Sequence, residues 1–243
     1  MRIFKISVKK IICFVFFIML AVSSITVAQD RWVCGEEGYD GLEKIEIWYD
    51  TERIQYNPAN KTVTGWIKIR FAGANDFHEI MQVIIDLKNK TTKNIKYFGM
   101  DNNKQYKDYT ADLSGRITRV YPDSATERLA NYACNRIGEP PIYPGGENRW
   151  KWIYSTSKYT CTYASDIVTS DKTENTIKIF VKKQYLPDKY HPNGWDTIDY
   201  VKCNFREESI SYEYWNGWQS RIVLPDSDDE KIYNFSRQLY LNH

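Results

Sequence analysis

The chain has 243 residues, and its 33 Lys and Arg against 31 Asp and Glu leave a formal net charge of +2. Four of those bases and none of the acids sit in the first 28 residues, so the rest of the chain has more acids than bases, which excludes the basic surface a nucleic-acid binder needs. With eight Pro, twelve Gly and an aromatic content of 15%, the composition excludes a low-complexity chain and favours β-sheet over a helical bundle.

Residues 1–28 read as an export signal. Arg2, Lys5, Lys9 and Lys10 give a basic start, Ile11 to Ala21 an apolar core, and Thr26-Val27-Ala28 tolerated residues for cleavage before Gln29. The alternative is an uncleaved segment that anchors the chain in a membrane, but Ile11 to Ala28 is short for a span and carries Ser23, Ser24 and Thr26. Cys13 lies inside the apolar core and Cys34 follows Arg31-Trp32-Val33, so neither has the setting of a lipid-modified cysteine. Export to the periplasm, the cell surface or the medium places Cys34, Cys134, Cys161 and Cys203 in an oxidising compartment. Four cysteines without a C-x-x-C spacing read as two disulfides, with three pairings open.

The first strands follow Cys34. Ile45 to Tyr49 alternates, and so does Val63 to Phe71, where Val63, Gly65, Ile67, Ile69 and Phe71 share one face and Thr64, Trp66, Lys68 and Arg70 the other. Asn57 to Lys61 between them is a turn. Ile80 to Leu87 and Ile95-Lys96-Tyr97, joined by Lys88-Asn89-Lys90, make an antiparallel hairpin. A helix then opens at Pro122-Asp123-Ser124, with Ser124 and Glu127 as a capping box and Ala125, Leu129, Tyr132 and Ala133 as an apolar stripe fit for a sheet face. It stops before the Pro/Gly-rich segment from Gly138, which reads as a linker.

The same order of elements then recurs. Tyr159 to Tyr163 answers the first strand, Ile177 to Lys182 answers Val63 to Lys68, and Asp199 to Phe205 with Ser209 to Tyr212 answers the hairpin. Pro225-Asp226-Ser227 opens a second helix with Glu230 completing its capping box and Ile232, Phe235, Ser236 and Leu239 as its stripe. Helix, strand and hairpin recurring in order point to an α+β fold of two tandem modules, each an antiparallel sheet with a C-terminal helix packed on it. The bounds are 1–28 for the signal, 29–137 for the first module, 138–148 for the linker and 149–243 for the second module.

This module resembles the surface-adhesin protein E family. In the first copy Trp32, Trp48-Tyr49-Asp50, Val63 to Lys68 and Pro122-Asp123-Ser124 through Cys134 carry the resemblance. In the second it rests on Trp150 or Trp152, Tyr163, Ile177 to Lys182, Val201-Lys202-Cys203 and Pro225-Asp226-Ser227. The resemblance implies a disulfide between the central strand and the helix, yet the first copy keeps only the helix cysteine, Cys134, and the second only the strand cysteine, Cys203. Cys34 with Cys134 and Cys161 with Cys203, within modules, is the favoured pairing; Cys134 with Cys203, across modules, is the other. The resemblance also implies attachment to host extracellular-matrix or serum proteins, of the laminin and vitronectin type.

No catalytic or cofactor motif is present. His78, His191 and His243 stand apart from any metal-ligand spacing, and no P-loop, G-x-S-x-G or dinucleotide fingerprint occurs, so neither enzyme activity nor a cofactor is expected. The acidic run Asp226 to Glu230 coincides with a helix start, where carboxylates favour the dipole, and reads as capping rather than calcium binding. Glu36-Glu37 and Glu207-Glu208 read as solvated charge. The aromatic segments remain as a binding surface: Trp150, Trp152 and Tyr154 alternate with Arg149 and Lys151, and Tyr214, Trp215 and Trp218 flank an Asn-Gly hairpin turn. The weighing competitor is ordinary strand burial. The expected function is thus an exported binding protein for a host protein or, alternatively, a module for a small ligand or another envelope protein.

Overall fold

The computed structural model describes residues 31–40, 43–72, 77–100, 105–112, 115–145, 148–214 and 216–242; the expected signal, 1–28, lies outside them. The chain divides into two compact units, Met1–Trp32 and Val33–His243. In the first, the Arg31 guanidinium lies 5.4 Å from the centre of the Trp32 indole. Among the described residues, the second contains two antiparallel sheets, two α-helices and a single 3-10 turn at Thr110–Asp112.

The first sheet has eight strands: β1 (Trp32–Asp40), β2 (Glu43–Asp50), β3 (Gln55–Asn57), β4 (Thr62–Ala72), β5 (Phe77–Asp86), β6 (Thr91–Met100), β7 (Tyr106–Asp108) and β8 (Ile117–Arg119). Their order is β1-β2-β4-β5-β6-β7, with β3 on β4 and β8 on β6. Helix α1 (Ala125–Ile137) follows. The second sheet has seven strands: β9 (Trp150–Ser155), β10 (Tyr159–Ala164), β11 (Thr169–Asp171), β12 (Thr176–Tyr185), β13 (Trp195–Asn204), β14 (Ser209–Tyr214) and β15 (Gly217–Ile222). Its order is β9-β10-β12-β13-β14-β15, with β11 on β12, and helix α2 (Asp228–Asn242) closes the chain.

The alternation expected in β4 is realised in its first half. Val63, Gly65 and Ile67 are buried under α1, whereas Thr64, Trp66 and Lys68 are half-buried on the opposite face. Gly65 is there because α1 lies so close: a Cβ at this position would fall 2.8 Å from a Leu129 methyl. On the helix, Ala125, Leu129, Ala130, Ala133 and Cys134 are buried, and Tyr132 is half-buried with its ring 6.0 Å from Tyr49. The stripe read from the sequence therefore faces the sheet.

Both helices open on the same turn. Pro122 and Pro225 each precede an aspartate with positive φ, 64° at Asp123 and 60° at Asp226, and the following serine N–H donates back to the residue before the proline. A proline followed by a left-handed residue is the type II turn, and a short polar side chain tolerates that conformation. Ser124 Oγ accepts from Glu127 N–H at 3.2 Å and Ser227 Oγ from Glu230 N–H at 3.1 Å, as the capping boxes require. The glutamates return one residue earlier than expected, accepting from Asp123 N–H at 2.5 Å and from Asp226 N–H at 2.8 Å. In each turn the serine N–H is already committed to the turn carbonyl, leaving the aspartate N–H to be satisfied.

The centre of the second sheet, at β12, is covered on both faces. Ile177, Ile179 and Val181 of β12 point into a core with Val201, Cys203, Ile210 and Ile232 beneath α2, while Phe180 points the other way. Its ring meets Tyr121 and Tyr143 edge-on, at 5.7 and 5.9 Å between centroids, and lies 4.5 Å from Tyr200. Burial on both sides explains the unbroken Ile-Phe-Val run.

The segment expected to be a linker is part of this second contact. Ile142 and Tyr143 are buried; Ile142 N–H donates to Asn131 Oδ1 at 2.9 Å, and the Tyr143 hydroxyl donates to the Val120 carbonyl at 2.6 Å. Apolar side chains inside a Pro/Gly-rich stretch were the signal of docking.

Candidate functional site

Where the two sheets approach, the N-terminal turn of α1 sits between them. Arg149, just before β9, is 6% exposed and reaches across to it. Its guanidinium donates to both Glu127 oxygens at 2.9 and 3.0 Å, to Asp123 at 3.1 Å and to Asp166 at 3.2 Å. Burial disfavours the charge of Arg149, but the bonds to Glu127 and the fields of Asp166 and Asp123 outweigh it and hold its proton more tightly than usual. Trp150 Nε1 adds a bond to Asp123 Oδ2 at 2.6 Å.

Beside this junction opens a cleft of about 1080 Å³. Its first wall is β1 and β2, with Glu36, Glu37 and Lys44; its base is the α1 turn, with Tyr121 and Asp123. The opposite wall is the β12–β13 hairpin, with Lys182, Tyr185, Trp195 and Asp196. Tyr185 and Trp195 are cross-strand partners and stack, with centroids 3.9 Å apart and planes 3° apart, and the His191 ring lies 5.4 Å from Trp195. Gly194 makes this wall possible. It has φ 73°, and a Cβ there would come within 2.5 Å of the Tyr185 carbonyl oxygen.

The lysines of the cleft are held by acids in it and beside it. Lys44 lies 2.8 Å from Glu46 and 3.3 Å from Glu37, and the bonds to these two acids raise its pKa. Lys182 lies 3.3 Å from Asp196 and 3.9 Å from Asp123, and its ammonium sits 5.1 Å from the centre of the Trp150 ring. Glu36, read as solvated charge, accepts from Ala125 N–H at 3.1 Å and so adds a carboxylate to the α1 N-terminus. None of Lys182, Tyr185, Trp195 and Asp196 stood out in the sequence. The available signal was the loop Leu186 to Gly194, with Pro187, Pro192 and Asn193-Gly194, flanked by Tyr185 and Trp195.

The aromatic residues expected to form a binding face are distributed over the second sheet. Register shifts between Cys161 and Thr162 leave Ile153 as an extra residue in β9, so the alternation from Trp150 to Tyr154 breaks. Trp150 and Trp152 therefore pair with Ala164 and Thr162, whereas Tyr154 pairs with Cys161 and is buried in the α2 core. Trp152 is 65% exposed. Tyr214 and Gly217 face each other across the expected hairpin turn, and Trp218 lies with its ring 5.5 Å from Tyr200; Trp215 is outside the described residues.

The four described cysteines, Cys34, Cys134, Cys161 and Cys203, are free thiols. Cys161 sits opposite Lys183 and Cys203 opposite Ile177 on the two sides of β12, so they lie about 20 Å apart along the strand at about 3.3 Å per residue. The favoured Cys161–Cys203 bond is thereby precluded. Cys34 points its Sγ at the Glu36 carbonyl and Glu37 on the edge strand β1, whereas Cys134 is buried on α1, so the Cys34–Cys134 bond is not made either. Cys134 belongs to the helix over the first sheet and Cys203 to the core beneath α2, which separates the cross-module pair. Burial pushes the Cys161 thiol up to about 11 and the Cys203 thiol up to about 12, with Tyr154 and Ser236 hydroxyls respectively opposing the shift.

The acids at the start of α2 serve the sheet as well as the helix. The Tyr159 hydroxyl donates to Asp228 and also meets the Tyr154 hydroxyl; the Tyr212 hydroxyl donates to Asp229 at 2.6 Å, where Arg221 also binds at 3.0 Å. Among the described residues, no group of three or more His, Cys, Asp or Glu side chains gathers as metal ligands, and no helix is long and apolar enough to cross a membrane. No family, curated protein or solved structure matches the chain.

Proposed function

We propose that the chain is an exported, non-enzymatic binding protein of two tandem adhesin E-like modules, and that it holds a ligand in the cleft where they meet. The supporting observation is the cleft itself: about 1080 Å³, with a stacked Tyr185–Trp195 wall and polar groups converging from both sheets. The tandem reading is supported by the shared strand order, β1-β2-β4-β5-β6 against β9-β10-β12-β13-β14, and by the matching type II turns and caps of the two helices.

The test is a screen of amines, saccharides and short peptides by calorimetry on the full chain, repeated with Trp195→Ala and with Asp196→Asn. A ligand lost from both variants supports the cleft. A ligand that both variants keep but Trp152→Ala loses moves binding to the outer surface and overturns it. A host-protein adhesin is the second reading, favoured by exposed apolar side chains at both edges of the second sheet, Trp152 on β9 at one and, at the other, Ile222 at 75% on β15 with Leu224 at 64% just beyond it. Protease treatment of washed intact cells distinguishes them: a surface adhesin is degraded and a periplasmic ligand-binding protein survives.

A further inference from the structure

The charges in the cleft select the ligand that the proposed function leaves unnamed. The described lining carries four carboxylates, Glu36, Glu37, Asp123 and Asp196, and two lysines, Lys44 and Lys182. Each lysine is already held by two acids at 2.8 to 3.9 Å. An anionic ligand entering the cleft would have to displace carboxylates from both lysines, and these lining groups carry two more formal negative charges than positive ones. A cation shares Glu37 and Asp196 with those lysines and meets in addition Glu36, which accepts from the Ala125 N–H.

The carboxylates also stand on opposing walls, Glu36 and Glu37 on the first sheet's side and Asp196 on the hairpin of the second, with the rings of Tyr121, Tyr185 and Trp195 also lining the cleft. The chain shows the geometry such rings accept: Lys182 sits 5.1 Å from the centre of the Trp150 ring and Lys183 lies 5.3 Å from that of Tyr159. Aromatic faces attract ammonium groups at about this range, and a carboxylate alongside completes the coordination of the three N–H donors. The side chain of Asp196 is 44% exposed, so its carboxylate keeps room for a further donor beside Lys182.

We propose that the cleft takes an extended ligand bearing at least two primary ammonium groups, one drawn to Glu36 and Glu37 and another to Asp196 across the aromatic wall. This inference rests on the cleft being a ligand site. The same chemistry can come from a free polyamine or from lysine side chains of a peptide.

The test is calorimetric titration of the full chain with spermine and with hexalysine, alongside a neutral N-acetylglucosamine oligomer and citrate. Binding of spermine alone assigns a polyamine; tighter binding of hexalysine assigns a lysine-bearing peptide. In either case the Glu36→Gln/Asp196→Asn variant, whose exposed positions leave the cores intact, is expected to weaken binding at least tenfold, and raised salt to weaken it further. Equal binding by that variant overturns the inference, because attraction to the general acidic surface then explains it. If neither amine binds but the oligomer or citrate does, and Trp195→Ala abolishes that binding, the ammonium inference fails while the cleft stands. Absence of binding by all four probes overturns both.

Discussion

The guanidinium of Arg149 sits among three carboxylates, and its value depends on leaving none of them alone. Replacing Arg149 by Met strands the Glu127 carboxylate, itself 3% exposed, without its bidentate partner. Breaking one side of a buried pair costs about 3–5 kcal/mol, whereas removing both sides is often nearly neutral. Urea denaturation should therefore show Arg149→Met strongly destabilised and Arg149→Met/Glu127→Met partly restored; equal loss in both would mean that packing, not charge, dominates. The cysteines give a second residue-scale expectation. In a Cys13→Ala chain, a thiol reagent at pH 8 should label Cys34 in the native protein, and should label Cys134, Cys161 and Cys203 only after unfolding. Four thiols in total is the expected count; two or none would restore the disulfides that export predicts.

At the scale of elements, two glycines fix how closely parts approach. Gly194→Ala forces a Cβ against the Tyr185 carbonyl oxygen at a positive φ, so the hairpin wall must move. Strain of this kind costs about 1–3 kcal/mol, and the Tyr185–Trp195 stack should show its loss in near-ultraviolet circular dichroism. Gly65→Val acts on a different element, lifting α1 from β4 through Leu129, and should cost about 1–3 kcal/mol in urea without altering the cleft stack. The longer strands β2, β4, β5, β6, β10, β12, β13 and β14 and both helices were legible from alternation, apolar runs, stripes and local caps, whereas β1 and the short strands β3, β7, β8 and β11 carry no such pattern and were not read. The bulge at Ile153 was not legible, since a single extra residue leaves no mark in composition and is defined only by the partner strand. The cleft was hidden for a similar reason. Glu36 and Asp196 belong to different sheets, and contacts distant in sequence, among them the docking of Ile142 and Tyr143 and the Arg119–Glu213 pair, bring their walls together.

The whole molecule has an alkaline limit set by its tyrosines. Tyr143, Tyr154 and Tyr212 are at most 9% exposed, and burial raises each above the ordinary value of 10, with hydrogen bonds to Tyr159 and Asp229 adding to the shift for Tyr154 and Tyr212. Tyr97 is pushed up to about 12 by burial and by its bond to Glu79. The unfolded chain releases these protons from pH 10, while the folded chain retains them. It follows that stability is intact below pH 10 and falls as pH rises from 10 to 12, by about 1.4 kcal/mol per pH unit for each tyrosine that ionises only when unfolded. Urea midpoints measured across that range test this, and a flat profile would contradict it. The cover over both faces of β12 has a different consequence, one of timing. Until the first half is in place, Ile177-Lys178-Ile179-Phe180-Val181 offers an apolar face on each side, the composition from which intermolecular cross-β stacks grow, checked only by Lys178, Lys182 and Lys183. Synthesis from the N-terminus makes the protecting half available first. A circular permutant that begins at residue 138 reverses that order, and in cell-free synthesis should aggregate at yields where the natural order remains soluble.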